Sequence, residues 1–216
     1  TGLTPASVTN ITKMLIEDEY LVECKVGQSS GGRPPIMLEL NPNARCVIGI
    51  SIGVGMIDVV ITNLSAEIIL KKSIEINEER YDYDFVFKEL VKLINEVIEC
   101  SKIEKEKILG AGVALHGIVN ARTGMSIYSP YYGWKEINIK EALENELNLG
   151  VYVDNDVRAM ALGESWFGIT KDISNFVTLN ISNGIGAGII INNKPYYGVD
   201  FSAGEIGHIV VEGDGD

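Results

Sequence analysis

Apolar and polar positions alternate with two different periods along this chain, and the changes of period divide it into elements. Near the start, Thr4 and Pro5 suit a helix N-terminus, a hydroxyl cap followed by Pro at the first helical position. Val8, Ile11, Leu15 and Ile16 then recur at helical spacing and leave Ser7, Thr9, Asn10 and Lys13 on the other faces. Residues 21–26 and 36–40 read as strands, and the Gly-, Ser- and Pro-rich run 28–35 between them reads as a loop. The pattern predicts a helix followed by a two-stranded ribbon with a Gly-rich tip. Asn41-Pro42-Asn43 separates this module, residues 1–42, from the rest of the chain.

Beyond it, strands are predicted at 47–51, 57–61 and 67–76, the first two joined by a turn with Gly53 and Gly55. A strong amphipathic helix comes next over 81–100, with Phe85, Leu90, Leu93, Ile94 and Val97 near helical period. A buried strand at 108–115, a helix at 139–147, a short strand at 151–153 and a helix at 157–167 complete the series. Strands alternating with helices predict an α/β fold, a largely buried sheet flanked by helices. Residues 176–180, the turn Ser182-Asn183-Gly184-Ile185-Gly186 and residues 187–191 repeat the opening strand, Gly-rich turn and strand. That recurrence suggests two lobes, one over 43–170 and the start of a second over 171–216.

Composition narrows the class. Hydrophobic residues make up 46% and charged residues 22% of the 216, the balance of an ordinary folded domain. No apolar run approaches the roughly 20 residues of a membrane span, so no membrane partner is expected. The opening residues lack the basic start and apolar core of a signal peptide, and without an initiator Met the start reads as trimmed. Cys24, Cys46 and Cys100 lie far apart, without the spacing of a zinc site, which points to a reducing, cytoplasmic setting. The net charge of -12 argues against a nonspecific nucleic-acid coat. Through Arg45, however, four basic residues (Lys13, Lys25, Arg33, Arg45) nearly balance five acidic ones (Glu17, Asp18, Glu19, Glu23, Glu39). A small DNA-reading module on an acidic body is therefore compatible with the charge, though not favoured by it.

Four motifs occur in order: the run from Gly110 to Asn120, Ser129-Pro130-Tyr131-Tyr132-Gly133-Trp134, Val153-Asp154-Asn155-Asp156-Val157-Arg158-Ala159, and Ala203-Gly204-Glu205-Ile206-Gly207-His208. Together they resemble the ROK family of repressors and sugar kinases, from about Arg45 onward. The resemblance implies a two-lobed, actin-like or ribonuclease-H-like sugar-kinase fold whose second lobe is truncated here. Thr1 to Thr9 and Gly31-Gly32-Arg33-Pro34-Pro35 look like the recognition helix and wing of the family's repressors, a winged-helix remnant that its kinases lack. Within the family the Tyr-Tyr-Gly-Trp and Asp-Asn-Asp-Val-Arg-Ala-Met-Ala runs are most similar to xylose repressors.

The resemblance implies that Asn155, Asp156, Glu205 and His208 hold a sugar, with Trp134 as a further candidate that stacks on it. In ROK kinases the residue matching Asp156 is the general base, a role that suits a carboxylate near a hydroxyl; the catalytic reading of Asp156 applies only to an active kinase. Asp154-Asn155-Asp156 also suits a plain helix cap. His208 matches a family zinc ligand whose cysteine partners lie further along than Asp216. One ligand cannot hold a tetrahedral zinc, so no cofactor is expected for this chain, while a structural zinc fits a longer protein. Aromatic residues such as Trp134 more often simply pack.

Kinase chemistry meets an obstacle at the first Gly turn. Where the family's kinases carry Asp-x-Gly-x-Thr, this chain has Ser51-Ile52-Gly53-Val54-Gly55. Phosphoryl transfer relies on metal and electrostatic clamping of phosphates, so loss of that carboxylate predicts sugar binding without turnover. The second Gly turn reads as a tight hairpin. On the first helix Ser7, Thr9, Asn10 and Lys13, with Arg33 on the wing, are candidate contacts to operator DNA, against a solvated helix and loop. The expectation is a sugar-responsive repressor, acting as a homodimer or homo-oligomer, with xylose or a related sugar as effector. An active ROK sugar kinase is the alternative.

Overall fold

The computed structural model describes residues 2–26, 35–77 and 81–210, so Arg33 and the Gly-rich tip expected around it lie outside the described residues. Helix α1 (Pro5–Glu17) starts as its sequence suggests: Thr4 is extended and its hydroxyl accepts the Ser7 amide. Strands β1 (Leu21–Val26) and β2 (Ile36–Leu40) pair antiparallel. No residue of α1 is buried, and Val8, Ile11 and Met14 stay 40%, 46% and 61% exposed, so its apolar stripe meets little of the chain.

This module joins the body through a few specific contacts. Asn41, inside the module, holds the Glu19–Tyr20 turn in place for them, its amide group donating to the Glu19 carbonyl and its backbone N–H to the Tyr20 carbonyl. The Arg45 guanidinium lies over the Tyr20 ring, and Lys107 pairs with Glu19 at 3.5 Å.

The body is a five-stranded sheet. Strands β3 (Cys46–Ile52), β4 (Met56–Asn63) and β5 (Ile68–Glu75) form an antiparallel meander. Strands β6 (Ile108–Leu115) and β10 (Val151–Asn155) add to it in parallel with β3. Residues at alternate positions of β3 and β4, including Ile48, Ile50, Ile52, Ile57, Val59 and Ile61, are buried, as period-2 patterning requires. Helix α2 (Tyr83–Ser101) lays Val86, Leu90, Leu93, Ile94 and Val97 into the same core. It is capped by Asp82, which accepts the Phe85 amide, and stopped by Lys102 in the left-handed region.

Between β6 and β10 the chain builds a second sheet that the apolar pattern does not reveal. Strands β7 (Ile118–Asn120), β8 (Met125–Ser129) and β9 (Trp134–Asn138) pair antiparallel, and helix α3 (Ile139–Leu147) leads back to β10. After helix α4 (Asp156–Phe167), strands β11 (Phe176–Ile181), β12 (Ile185–Ile191) and β13 (Lys194–Pro195) form a three-stranded sheet against which α4 packs. The strand, Gly-rich turn and strand of 176–191 thus form the hairpin expected of them, as 46–63 do. No helix among the described residues is long and apolar enough to cross a membrane.

Candidate functional site

Parallel pairing sets β6 and β10 side by side, with Leu115 opposite Asn155, so both strands end at one rim. Ligands of open α/β sheets bind at this kind of edge. A cavity of about 810 Å³ opens there, in the size range of small-molecule sites. One wall carries His116 and Gly117 after β6, with Asn155 at the end of β10 and Asp156 directly after it. The opposite wall is the β11–β12 turn, with Ser182, Asn183 and Gly184, and the segment carrying Gly204, Glu205 and His208. Of the predicted sugar contacts, Asn155, Asp156, Glu205 and His208 come together at this cavity, from positions about 50 residues apart in sequence.

Two glycines allow the walls to approach. Gly117 has φ +103°, and a Cβ there would collide with the Tyr128 carbonyl oxygen; Gly204 has φ +99°, and a Cβ would collide with that of Ala187. Both conditions restrict these positions to glycine. The polar groups of the lining are carboxylates, imidazoles, amides and hydroxyls set among apolar residues such as Val54, Ile118 and Ile185, and no Lys or Arg stands among the described residues that form it. A neutral ligand rich in hydroxyls matches this set, whereas a polyphosphate finds no cation in it.

Asn155 and Asp156 divide the work differently from the expectation. The Asn155 Oδ1 accepts the Val157 and Arg158 amides and so caps α4, while its Nδ2 donates to the Gly117 carbonyl at 3.0 Å and to Asp156 Oδ1 at 2.8 Å. These four bonds use the full capacity of a carboxamide. In this geometry Asn155 holds Asp156 and the β6 end in place, and it has nothing left to offer a sugar hydroxyl. Asp156 Oδ1 also accepts the Val157 amide at 2.9 Å. Its Oδ2 stands 3.7 Å from His116 Nδ1, at the cavity. Cap and site are thus both present, carried by neighbouring residues.

Behind this rim lies a buried ionic network. Arg158, 2% exposed, donates from Nε to Asp154 Oδ1 at 2.7 Å, from Nη1 to the Phe201 carbonyl at 2.9 Å and from Nη2 to the Val119 carbonyl at 2.9 Å. Tyr197 covers the guanidinium with its ring and donates its hydroxyl to Asp154 Oδ2 at 3.1 Å. Burial, then the charge of Asp154 and the bond to it, push the Tyr197 phenol up to about 12. The network ties α4, β7 and β10 to the loop that leads into Gly204 and Glu205. Sequence reasoning missed it; the signal was Asp154 and Arg158 four residues apart across a helix start.

Trp134 requires a correction. It is 5% exposed, stacks on Tyr132 with ring centroids 4.7 Å apart, meets Tyr83 edge-on and donates its indole N–H to the Tyr81 carbonyl at 3.2 Å. It belongs to the hydrophobic core around the five-stranded sheet and takes no part in the cavity lining. Tyr132, beside it, donates to the Gly53 carbonyl at 2.7 Å and so steadies the first Gly turn, while Tyr131 hydrogen-bonds Tyr81.

On α1 the residues expected to contact DNA have their polar groups partly engaged locally. The Ser7 hydroxyl bonds that of Thr4 at 2.9 Å, Thr9 donates to the Pro5 carbonyl at 3.0 Å, and Lys13 faces Glu17 at 3.7 Å. Thr9, Asn10 and Lys13 are exposed. For a metal the result is different. Among the described residues there is no group of three His, Cys, Asp or Glu able to hold one, so His208 stands without co-ligands and these residues do not fit a zinc ion.

Comparison with known proteins agrees with this architecture. A sequence model of the ROK family matches residues 47–216. The chain is 34% identical over 97% of its length to the xylose repressor of Caldicellulosiruptor bescii (strain ATCC BAA-1888 / DSM 6725 / KCTC 15123 / Z-1320), covering 52% of that protein. It spans about half the length of the curated relatives it matches. The crystal structure of a ROK family transcriptional regulator, a homolog of the E. coli MLC protein, superposes over 99% of this chain and 54% of its own, with TM-score 0.83 and 30% identity. A ROK family glucokinase from Streptomyces griseus, in complex with glucose and AMPPNP, matches 79% of this chain and 52% of its own, with TM-score 0.70 and 25% identity. By sequence and by fold, this chain belongs to the ROK family.

Proposed function

We propose that the chain is the DNA-reading and sugar-sensing part of a transcriptional repressor whose cavity binds a sugar without phosphorylating it. The observation that carries this reading is coverage. The regulator structure accounts for 99% of the chain and the glucokinase for 79%, while the family's sequence model begins only at residue 47. The helix and two-stranded ribbon before residue 43 are thus shared with a regulator and unexplained by a kinase. They serve as a winged-helix remnant, with Asn10, Lys13 and Arg33 toward operator DNA and Ser7 and Thr9 shaping the helix face. Asp156, Glu205 and His208 hold the sugar, and Asn155 positions Asp156. Xylose, the sugar in the relatives' names, is the first candidate.

The first Gly turn supports binding without turnover. Ser51 stands where the kinases carry a carboxylate, and the acid in register with it on β4, Asp58, is held by Ser73 and Lys71. The cavity supplies no described cation for phosphates. Against this, Asp156 Oδ2 faces the cavity as a general base would, which keeps an active kinase as the competing reading.

Sugar acts on DNA affinity by preferring one arrangement of the protein, since a ligand shifts an equilibrium only through differential affinity. In a homodimer, that preference sets the spacing of the two DNA-reading heads. Calorimetric titration of the full-length protein with D-xylose, D-glucose and N-acetylglucosamine tests the sugar, and electrophoretic shift of operator DNA with and without saturating sugar tests the coupling. Binding of one sugar and a changed operator affinity are expected. Sugar phosphate accumulating with ATP and magnesium would establish the kinase instead.

A further inference from the structure

We propose that His116 reads the ligand together with Asp156, the two gripping one hydroxyl of the sugar from neighbouring positions. This rests on the sugar-binding reading of the cavity and adds a specificity-determining contact to it.

His116 is the first residue after β6 and lines the cavity. Its Nδ1 lies 3.7 Å from Asp156 Oδ2, beyond hydrogen-bonding distance, so the two groups do not use their capacity on each other. Both residues line the cavity, and their side chains are exposed to a similar extent, 28% for His116 and 27% for Asp156. Asp156 Oδ1 is committed to the Val157 amide and Asn155 Nδ2, which leaves Oδ2 as the oxygen for a ligand.

The imidazole is placed from behind by its own backbone. The His116 N–H donates to the Ile52 carbonyl at 3.1 Å, and the next residue, Gly117, turns the chain at φ +103° against the Tyr128 carbonyl. A gap of 3.7 Å is shorter than two hydrogen bonds laid end to end, so a hydroxyl oxygen seated off the line between the groups reaches both. Its O–H donates to Asp156 Oδ2, and its lone pair accepts from the imidazole N–H.

A hydroxyl is the group that satisfies this pair, being donor and acceptor at one atom. A carbonyl cannot donate to Asp156, and an O-methyl group has no proton to give. The cavity therefore selects a neutral, polyhydroxylated ring with one free hydroxyl at the position between these residues. Analogues lacking that hydroxyl leave both protein groups unpaired, which is the strongest way a polar site rejects a wrong ligand.

The test is a cycle between side chain and ligand. Full-length wild-type protein and the His116→Ala and His116→Asn variants are titrated calorimetrically with D-xylose, with D-glucose, with N-acetylglucosamine and with each monodeoxy form and each mono-O-methyl ether of whichever of the three binds most tightly. His116→Ala should weaken the parent sugar by about tenfold, the size of one hydrogen bond. His116→Asn, whose amide N–H takes the place of Nδ1–H, should recover most of that loss. One monodeoxy sugar should bind wild type and His116→Ala equally, and the methyl ether at the same position should bind weakly to both. Parent-sugar affinity within twofold of wild type in both variants, or loss that is additive at every hydroxyl, overturns the role of His116 while leaving sugar binding intact. Failure of the wild-type protein to bind any of the three parent sugars overturns the sugar-binding reading itself, and the His116 contact with it.

Discussion

Position 158 shows how much of this site is organised from outside the cavity. A guanidinium buried to 2% exposure is tolerable only because Asp154 neutralises it and the Val119 and Phe201 carbonyls each take a further donor. Arg158→Met should therefore cost about 3–5 kcal/mol in urea denaturation, because it leaves Asp154 without its charge partner. Arg158→Met combined with Asp154→Asn should recover only part, since both carbonyls still lack donors. An additive double variant would show that the two side chains are not coupled. At this scale the amino-acid pattern is an uneven guide. Asp156, Glu205 and His208 are legible because each sits in a short motif with few alternatives. The saturation of Asn155 is not, because hydrogen-bond counts depend on Gly117, distant in sequence. Trp134 misleads because an indole serves a sugar face and a core equally well, and only the neighbouring rings of Tyr83 and Tyr132 decide between them.

Among the elements, those with a clear period are legible almost to the residue, such as β6, α3 and β12 with its turn. The sheet of β7, β8 and β9 is not. Its strands are three to five residues long, and buried Ser126 and Ser129 erase the apolar alternation that marks a strand. That sheet matters because β7 supplies the Val119 carbonyl through which Arg158 reaches the cavity wall. The loop from Tyr197 to Phe201 is fixed to the same network, and this gives it a pH signature. Tyr197, with an ordinary value of 10.0, is pushed up to about 12 by burial and by Asp154. A phenol raised in the folded state contributes stability that is complete below its unfolded value and is lost as pH rises through the folded one. Stability should thus fall between about pH 10 and 12, and the Tyr197→Phe variant should show a shallower fall over that window. Parallel slopes for the two proteins in urea melts would mean that the phenol is not coupled to folding.

At the scale of the whole molecule, charge and apolar surface oppose each other. The chain carries a net charge of -12, which keeps copies apart. Yet Val177, Leu179 and Ile181, on one face of β11, are 56%, 56% and 75% exposed, and Ile185 across the turn is 54% exposed. Within these 216 residues, about half the length of the curated relatives, strand β11 pairs only with β12 among the described residues. An apolar edge strand is a template for another chain. At low ionic strength repulsion should dominate and the 216-residue chain should sediment as a monomer. At physiological salt the screening length is about 8 Å, and the apolar face should then drive association that grows with concentration. Leu179→Lys separates the two contributions, because it brings the net charge closer to zero and weakens repulsion while breaking the apolar face. Suppressed association in that variant at high salt identifies the face as the cause. Undiminished association would place the contact elsewhere on the molecule.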